Sequence, residues 1–249
     1  MSGSKLIFYD VKAKKPGFSW SPNTWKTRFT LNYKGIPYET VWLEYPEIQA
    51  KSKELGVGPT KTKADGSPVY TVPIIWDPAT KTGVSDSYII AKYLDAAYPN
   101  TPRVLFDGIE EYDIAIQAFY GLPKMRALFD LVAPYVTTLL TPVSQEYKLK
   151  DESWPKAVPT GDKKVEAWKV VKNGFDIVDG LLKKNGGPFA RGEQISFVDF
   201  AFGGYVFGLR LVWGEDNELW KDLATWNNGR WGRLVEKLEK YTTPQGVSA

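Results

Sequence analysis

"SWSPNTWKTRFTLNYKG", residues 19–35, is the stretch on which the reading of this chain turns. Ser21 precedes a proline, and proline suits the first turn of a helix because an N–H is not needed there. Trp25, Phe29 and Tyr33 then recur at every fourth position, stacking three aromatic rings on one helical face. Gly35 closes the pattern, since glycine enters the left-handed region at little cost and so ends helices readily. A helix start carries unpaired N–H groups and the positive end of the helix dipole. The question is what a serine does there in a chain with no cysteine and no histidine.

Working outward, "KLIFYDV" (5–11) alternates apolar and polar residues like a short strand, and "YETVWLEY" (38–45) is a second. "PEIQAKSKELG" (46–56) is a short polar helix closed by Gly56, and "VGPTKTKADGSPV" (57–69) is a loop rich in Gly, Pro and Lys. "TVPIIWD" (71–77) and "TGVSD" (82–86) form a hairpin around "PATK". In "SDSYIIAKYLDAAYP" (85–99) a helix follows, with Ile89, Ile90, Tyr93, Leu94 and Ala97 on its buried side. The order to residue 98 is β-α-β-α-β-β-α. Past "YPNTPRVLFDG" the character changes: 108–140, 162–185, 196–213 and 224–241 carry helical periodicity, and none alternates as a strand does. We expect a mixed α/β domain over residues 1–98, a linker at 99–107 and an all-helical domain over 108–249.

Composition narrows the chemistry. Without histidine there is no Ser-His-Asp triad and no imidazole base or metal ligand; without cysteine there is no thiol nucleophile, disulfide or thiolate zinc site. No resident metal is expected, and covalent chemistry falls to carboxylates, lysines, tyrosines or an imported cofactor. A net charge of +3, dispersed along the chain, is too weak for a nucleic-acid partner. No run approaches the roughly 20 apolar residues of a membrane span, and no signal-peptide pattern opens the chain. The expectation is a cytosolic protein with neither nucleic acid nor membrane as partner.

Four motifs carry possible chemistry, each with a plain structural explanation beside it. Pro73 enters an apolar strand and cannot donate to a ladder, so it marks either an ordinary edge strand or a cis peptide. In both cases Val72 offers its backbone to a peptide ligand. Asp86 and Ser87 stand where a strand ends and a helix begins; they cap that helix, or they hold a carboxylate and an α-ammonium group beside it. Ser196 and Asp199 have the S-x-x-D spacing of a capping box on a helix that is apolar nearly all round, which is a folding role. Ser21 is either an N-cap or the donor to a reacting group.

Their order resembles that of the cytosolic glutathione transferases: Ser-Pro before the first helix, Val-Pro before the third strand, Asp-Ser opening the third helix, then S-x-x-D. The resemblance runs through essentially the whole chain. "SPNTWKTR" is similar to the serine- and cysteine-type classes, and "SWSPNTWKTRFTLNYKGIPYETVWLEYPEI" resembles the fungal etherase-related (Fu A) class. It implies a thioredoxin-like N-terminal domain, an all-α C-terminal bundle, glutathione as co-substrate and a homodimer. It places Ser21, and Asn23 within the same turn, at the glutathione thiolate. It places Val72 and Pro73 at the cysteinyl unit, and Asp86 and Ser87 at the γ-glutamyl end. The implied activity is conjugation of glutathione to small hydrophobic or aromatic electrophiles, with aryl-ether cleavage or peroxide reduction as variants. The alternatives are a ligandin-like carrier of aromatic compounds and a non-enzymatic relative on the same fold. Serine where the omega class has cysteine argues against thiol-transferase activity, since a hydroxyl forms no mixed disulfide. Trp20, Phe119, Tyr120 and Phe129 are the candidates to line the electrophile pocket, and the lysines of "KTKADG" either attract glutathione's carboxylates or form a solvated loop.

Overall fold

The computed structural model describes residues 5–63, 65–107 and 123–243. Its first part consists of β1 (Leu6–Val11), α1 (Pro22–Lys34), β2 (Tyr38–Leu43), α2 (Ile48–Glu54), β3 (Lys61–Thr62), β4 (Pro68–Val69), β5 (Ile74–Asp77), β6 (Thr82–Ser85) and α3 (Ser87–Ala97). Four strands form one mixed sheet in the order β2-β1-β5-β6. β1 runs parallel to β2, which requires a crossover connection, and α1 supplies it. β5 returns antiparallel to β1 and β6 antiparallel to β5.

Three local readings are revised. β1 is a central strand buried along nearly all its length, so its apparent alternation does not mark a solvent face. Residues 57–69 are not wholly loop: β3 and β4 pair as a small antiparallel hairpin. On α3 the buried residues are Ile90, Ala91 and Leu94, while Ile89 is 49% exposed and Ala97 also faces solvent. Ala91, small enough to pass unnoticed in a hydrophobic count, sets the phase of that helix against the sheet.

The second part is helical: α4 (Pro123–Leu139), α5 (Pro142–Leu149), α6 (Gly161–Leu182), α7 (Phe197–Trp213) and α8 (Glu218–Leu238). α7 is buried on nearly every side, as its apolar circumference requires. Its capping box forms as the spacing predicts: Asp199 accepts the Ser196 N–H at 2.8 Å, and the Ser196 side chain caps the first turn in return. Asp199 also accepts the Ala190 N–H at 2.7 Å. Burial pushes its carboxyl up to about 6, against the hydrogen bonds that favour the ionised form.

The aromatic face of α1 is buried against α7 rather than against the sheet. Trp25 and Phe29 meet Phe207 with ring centroids 4.5 and 5.5 Å apart, and Tyr33 meets Phe200 at 5.3 Å. Two glycines one turn apart permit this approach. A Cβ at Gly208 would lie 2.7 Å from Pro22 Cα, and one at Gly204 would lie 2.9 Å from the Lys26 nitrogen. One continuous apolar core therefore runs from the sheet through α1 into the helices, and a smaller one, including Phe8, Ile75 and Leu94, fills the other face of the sheet.

Polar ties fix the remaining joints. Lys34, wholly buried, donates to Asp95 at 2.6 Å and to the Pro102 carbonyl at 2.9 Å. Asp95 in turn accepts the N–H groups of Val104 and Leu105, so the segment after α3 is held against α1 and α3. Glu44, just past β2, accepts the hydroxyls of Thr141 and of Ser144 (2.5 Å) at the start of α5 and pairs with Lys12 at 3.3 Å. No helix among the described residues is long and apolar enough to cross a membrane.

Candidate functional site

Sheet register brings three of the sequence-predicted segments to one edge. Tyr9 pairs with Ile74, and Ile74 pairs with Ser85. The C-terminal end of β1, the start of β5 and the end of β6 thus lie side by side. From them issue the loop leading to Ser21, the Val72–Pro73 step and the Asp86–Ser87 pair.

The loop from β1 to α1 is shaped by a buried polar knot. Asp10, fully buried, accepts the Ser19 hydroxyl at 2.6 Å and the Arg28 guanidinium at 2.9 Å. The Trp25 indole N–H donates to the Ser19 carbonyl at 3.0 Å. Arg28 also lies against the rings of Phe8 and Trp25, which surround the charge with aromatic faces. Two residues beyond Ser19 this arrangement delivers Ser21 to the start of α1. Asp10, Ser19 and Arg28 were not picked out from the sequence. The available signal was an acidic residue inside the apolar run "LIFYDV", which a buried strand tolerates only when the charge is paired.

Ser21 occupies the N-cap position with extended backbone, but its hydroxyl makes no capping bond. The side chain is buried, and the backbone N–H groups of Asn23 and Thr24 have no partner among the described residues. No acidic residue stands in the first turn. The positive end of α1 is therefore uncompensated, with two free donors and a hydroxyl not committed to the helix. Capping, the plain explanation for a serine here, is not what Ser21 does. Asn23 is exposed in the same turn. Trp20 is 4% exposed, and its indole N–H has no partner among the described residues.

The Val72–Pro73 peptide is cis, the second of the two arrangements open from sequence. β5 begins only at Ile74, and the Val72 N–H and C=O have no hydrogen-bond partner among the described residues. Asp86 does cap α3, through one oxygen: Oδ1 accepts the N–H groups of Tyr88 at 2.9 Å and Ile89 at 3.2 Å. Its φ is +71°, a region non-glycine residues seldom occupy and which is enriched at functional sites. Capping uses Oδ1 alone, and Oδ2 has no partner among the described residues. Phe129 is half-buried and stacks edge-on against Trp154 at 5.1 Å, a packing role; Phe119 and Tyr120 lie outside the described residues. Lys61 and Lys63 are exposed on the β3–β4 hairpin.

The chain as a whole, a thioredoxin-like sheet followed by a helical bundle, is similar to known proteins along most of its length. A family model for the glutathione S-transferase N-terminal domain matches residues 20–97, and one for the glutathione S-transferase C-terminal domain matches residues 115–241. The chain belongs to the glutathione S-transferase family. The glutathione S-transferase of Ceriporiopsis subvermispora, solved in complex with glutathione, is 36% identical, covering 98% of this chain and 100% of that one, with a TM-score of 0.88. The glutathione transferase GSTFuA3 of Phanerochaete chrysosporium is 34% identical over 96% of this chain and 98% of its own, with a TM-score of 0.87. The glutathione S-transferase-like protein ustS of Aspergillus flavus is 29% identical over 98% of this chain and 93% of its own. The resemblance to the fungal Fu A glutathione transferases thus extends from motif to whole fold.

Proposed function

We propose that this glutathione S-transferase binds glutathione at the sheet edge, ionises its thiol beside Ser21, and adds the thiolate to small hydrophobic, chiefly aromatic, electrophiles. The observation that carries this reading is the unspent Ser21 hydroxyl at the uncompensated start of α1. A free thiol titrates near 8.5 and is mostly protonated at neutral pH. Bringing it to about 6.5 requires about 2.7 kcal/mol of preference for the thiolate. A hydrogen bond to a charged group contributes about 1.5–3 kcal/mol, and a partly buried helix terminus up to about 2. Ser21, the Asn23 amide and the free N–H groups of the first turn are adequate donors. No imidazole is needed.

The remaining contacts follow from the ligand's peptide chemistry. Val72 offers one N–H and one C=O to the cysteinyl unit in the manner of an added strand. Asp86 Oδ2 suits the α-ammonium of the γ-glutamyl group, while Ser87 at the start of α3 suits its carboxylate. Residues 1–98 serve in this reading as the glutathione-binding domain, 99–107 as linker and 108–249 as the helical domain, in a cytosolic homodimer. The test is steady-state conjugation of an aromatic electrophile by native protein, Ser21→Ala and Asn23→Ala. Loss of kcat in the serine variant supports the reading. Unchanged kcat in both, with aromatic ligands still bound, would make the protein a carrier instead.

A further inference from the structure

A pocket lies on the helical part, across α7 from the start of α1. Gly204 and Gly208 face α1, whereas Gly203 faces α8, where a Cβ would meet Leu238 and approach Leu234. The two sets of contacts lie on different faces of α7, as residues five apart must. Behind Leu234 is a pocket of about 270 Å³ lined by Gly187, Pro188, Arg230, Arg233, Leu234 and Lys237.

Its charge is lopsided. Arg230, Arg233 and Lys237 share one helical face at i, i+3 and i+7, where like charges repel. Among the described residues only Arg230 of the three has a carboxylate partner: buried Asp179 accepts its Nε at 2.5 Å and pairs on its other oxygen with Lys183 at 2.5 Å. Arg233 donates through Nη1 to the Asn228 carbonyl, and the rest of its donor fork has no partner among the described residues. Lys237 has no ion partner among the described residues. Lys237 sits in the last turn of α8, where the helix dipole favours a cation; the two arginines have no such reason.

The backbone beside the pocket is also unusual. α8 breaks at Trp226, and Asn227, Asn228 and Gly229 are all left-handed, with φ of 54°, 57° and 73°. Asn227 holds the break by accepting the Trp231 indole N–H at 2.7 Å and donating to Asp176 at 2.8 Å. The helix restarts at Arg230, so the break fixes where the cationic face begins. Backbone held in sparsely populated regions clusters at ligand sites.

We propose that this pocket binds a phosphate group. Arginine forks match the geometry of phosphate oxygens, and a dianion offers enough acceptors to engage Arg230, Arg233 and Lys237 together. The volume, just under the range of drug-sized ligand sites, accommodates a phosphate with a short substituent, and the cationic lining favours the anion. The site is independent of the glutathione reading and stands or falls apart from it.

The test is calorimetric titration of the full chain with inorganic phosphate and with phenyl phosphate, ionic strength held constant with potassium chloride. The variant is Arg233→Gln/Lys237→Gln, which spares the buried Arg230–Asp179 pair and so keeps the fold, as circular dichroism and an unchanged thermal midpoint would verify. The expected result is a rise in Kd of about tenfold or more in the variant. A parallel sedimentation with phosphatidylcholine vesicles, with and without phosphatidic acid, separates the sources. Retention on acidic vesicles by native protein alone would assign a lipid head group; calorimetric binding without such retention would assign a soluble phosphate. Equal affinity in native protein and variant, or no binding in either arm, would overturn the proposal.

Discussion

At the scale of single residues, Ser21 and Asp86 show how one position answers two demands differently. Both stand at helix starts, where serine and aspartate are the expected caps. Asp86 does cap, through one oxygen, and keeps the other in reserve; Ser21 does not cap at all. Ser21→Ala is therefore expected to leave stability almost unchanged, against the ~1 kcal/mol that losing a working N-cap costs. It should lower kcat/KM for conjugation by about 10- to 100-fold, the equivalent of one hydrogen bond to a charged sulfur. Denaturant unfolding alongside steady-state kinetics checks both halves. Asp199 gives a residue-scale prediction about pH. Its carboxyl is raised from an ordinary 3.8 to about 6, so the stability it lends is fully present below about 4 and is lost as pH rises through about 6. Over that interval native protein should lose roughly 3 kcal/mol relative to Asp199→Asn, measured by urea unfolding at stepped pH. Parallel pH profiles would refute it.

At the scale of elements, α1 was legible because its three aromatic residues fall on one face and its ends carry proline and glycine. What the pattern did not reveal was the partner of that face. Burial against α7 rather than the sheet depends on Gly204 and Gly208, whose importance lies in a missing side chain and leaves no hydrophobic signal. Gly208→Ala should push against Pro22, whose neighbour is Ser21. We expect a loss of about 1–3 kcal/mol, as overpacking typically costs, together with a reduced kcat. Thermal unfolding and kinetics measure the two effects; a stable variant with full activity would show that α7 does not position the serine. α5 escaped notice for the opposite reason: Val143 and Tyr147, its periodic apolar residues, are 54% and 50% exposed and pack into no core stripe. In α3 the visible apolar residues misled, because Ile89 points outward while Ala91 points in.

At the scale of the whole molecule, the succession of an α/β part and a helical part was readable from periodicity, and so were Val72, Asp86 and Ser21 as ends of elements. Their convergence was not, since it arises from strand order and from Tyr9, Ile74 and Ser85 standing in register. Long-range polar ties were equally silent: Glu44 reaches Thr141 and Ser144, nearly a hundred residues away. Burial raises the Glu44 carboxyl, but hydrogen bonds from Ser144, Thr141 and Lys12 outweigh it and hold it below the usual range. A depressed carboxyl lends stability above its unfolded value, near 4.3, and loses it as pH falls through the folded value. Acid should therefore loosen this joint, and Glu44→Gln should flatten the acid limb of the stability profile, which proteolysis between β2 and α5 would register.

The central claim concerns a sulfur atom at the start of α1. The direct measurement is ultraviolet titration of the glutathione thiolate bound to native protein and to Ser21→Ala/Asn23→Ala. The native complex should ionise near 6.5, about two pH units below free thiol, and the double variant should return toward 8.5. A bound thiol that titrates at its free value in native protein, or at the same lowered value in both, would contradict the account.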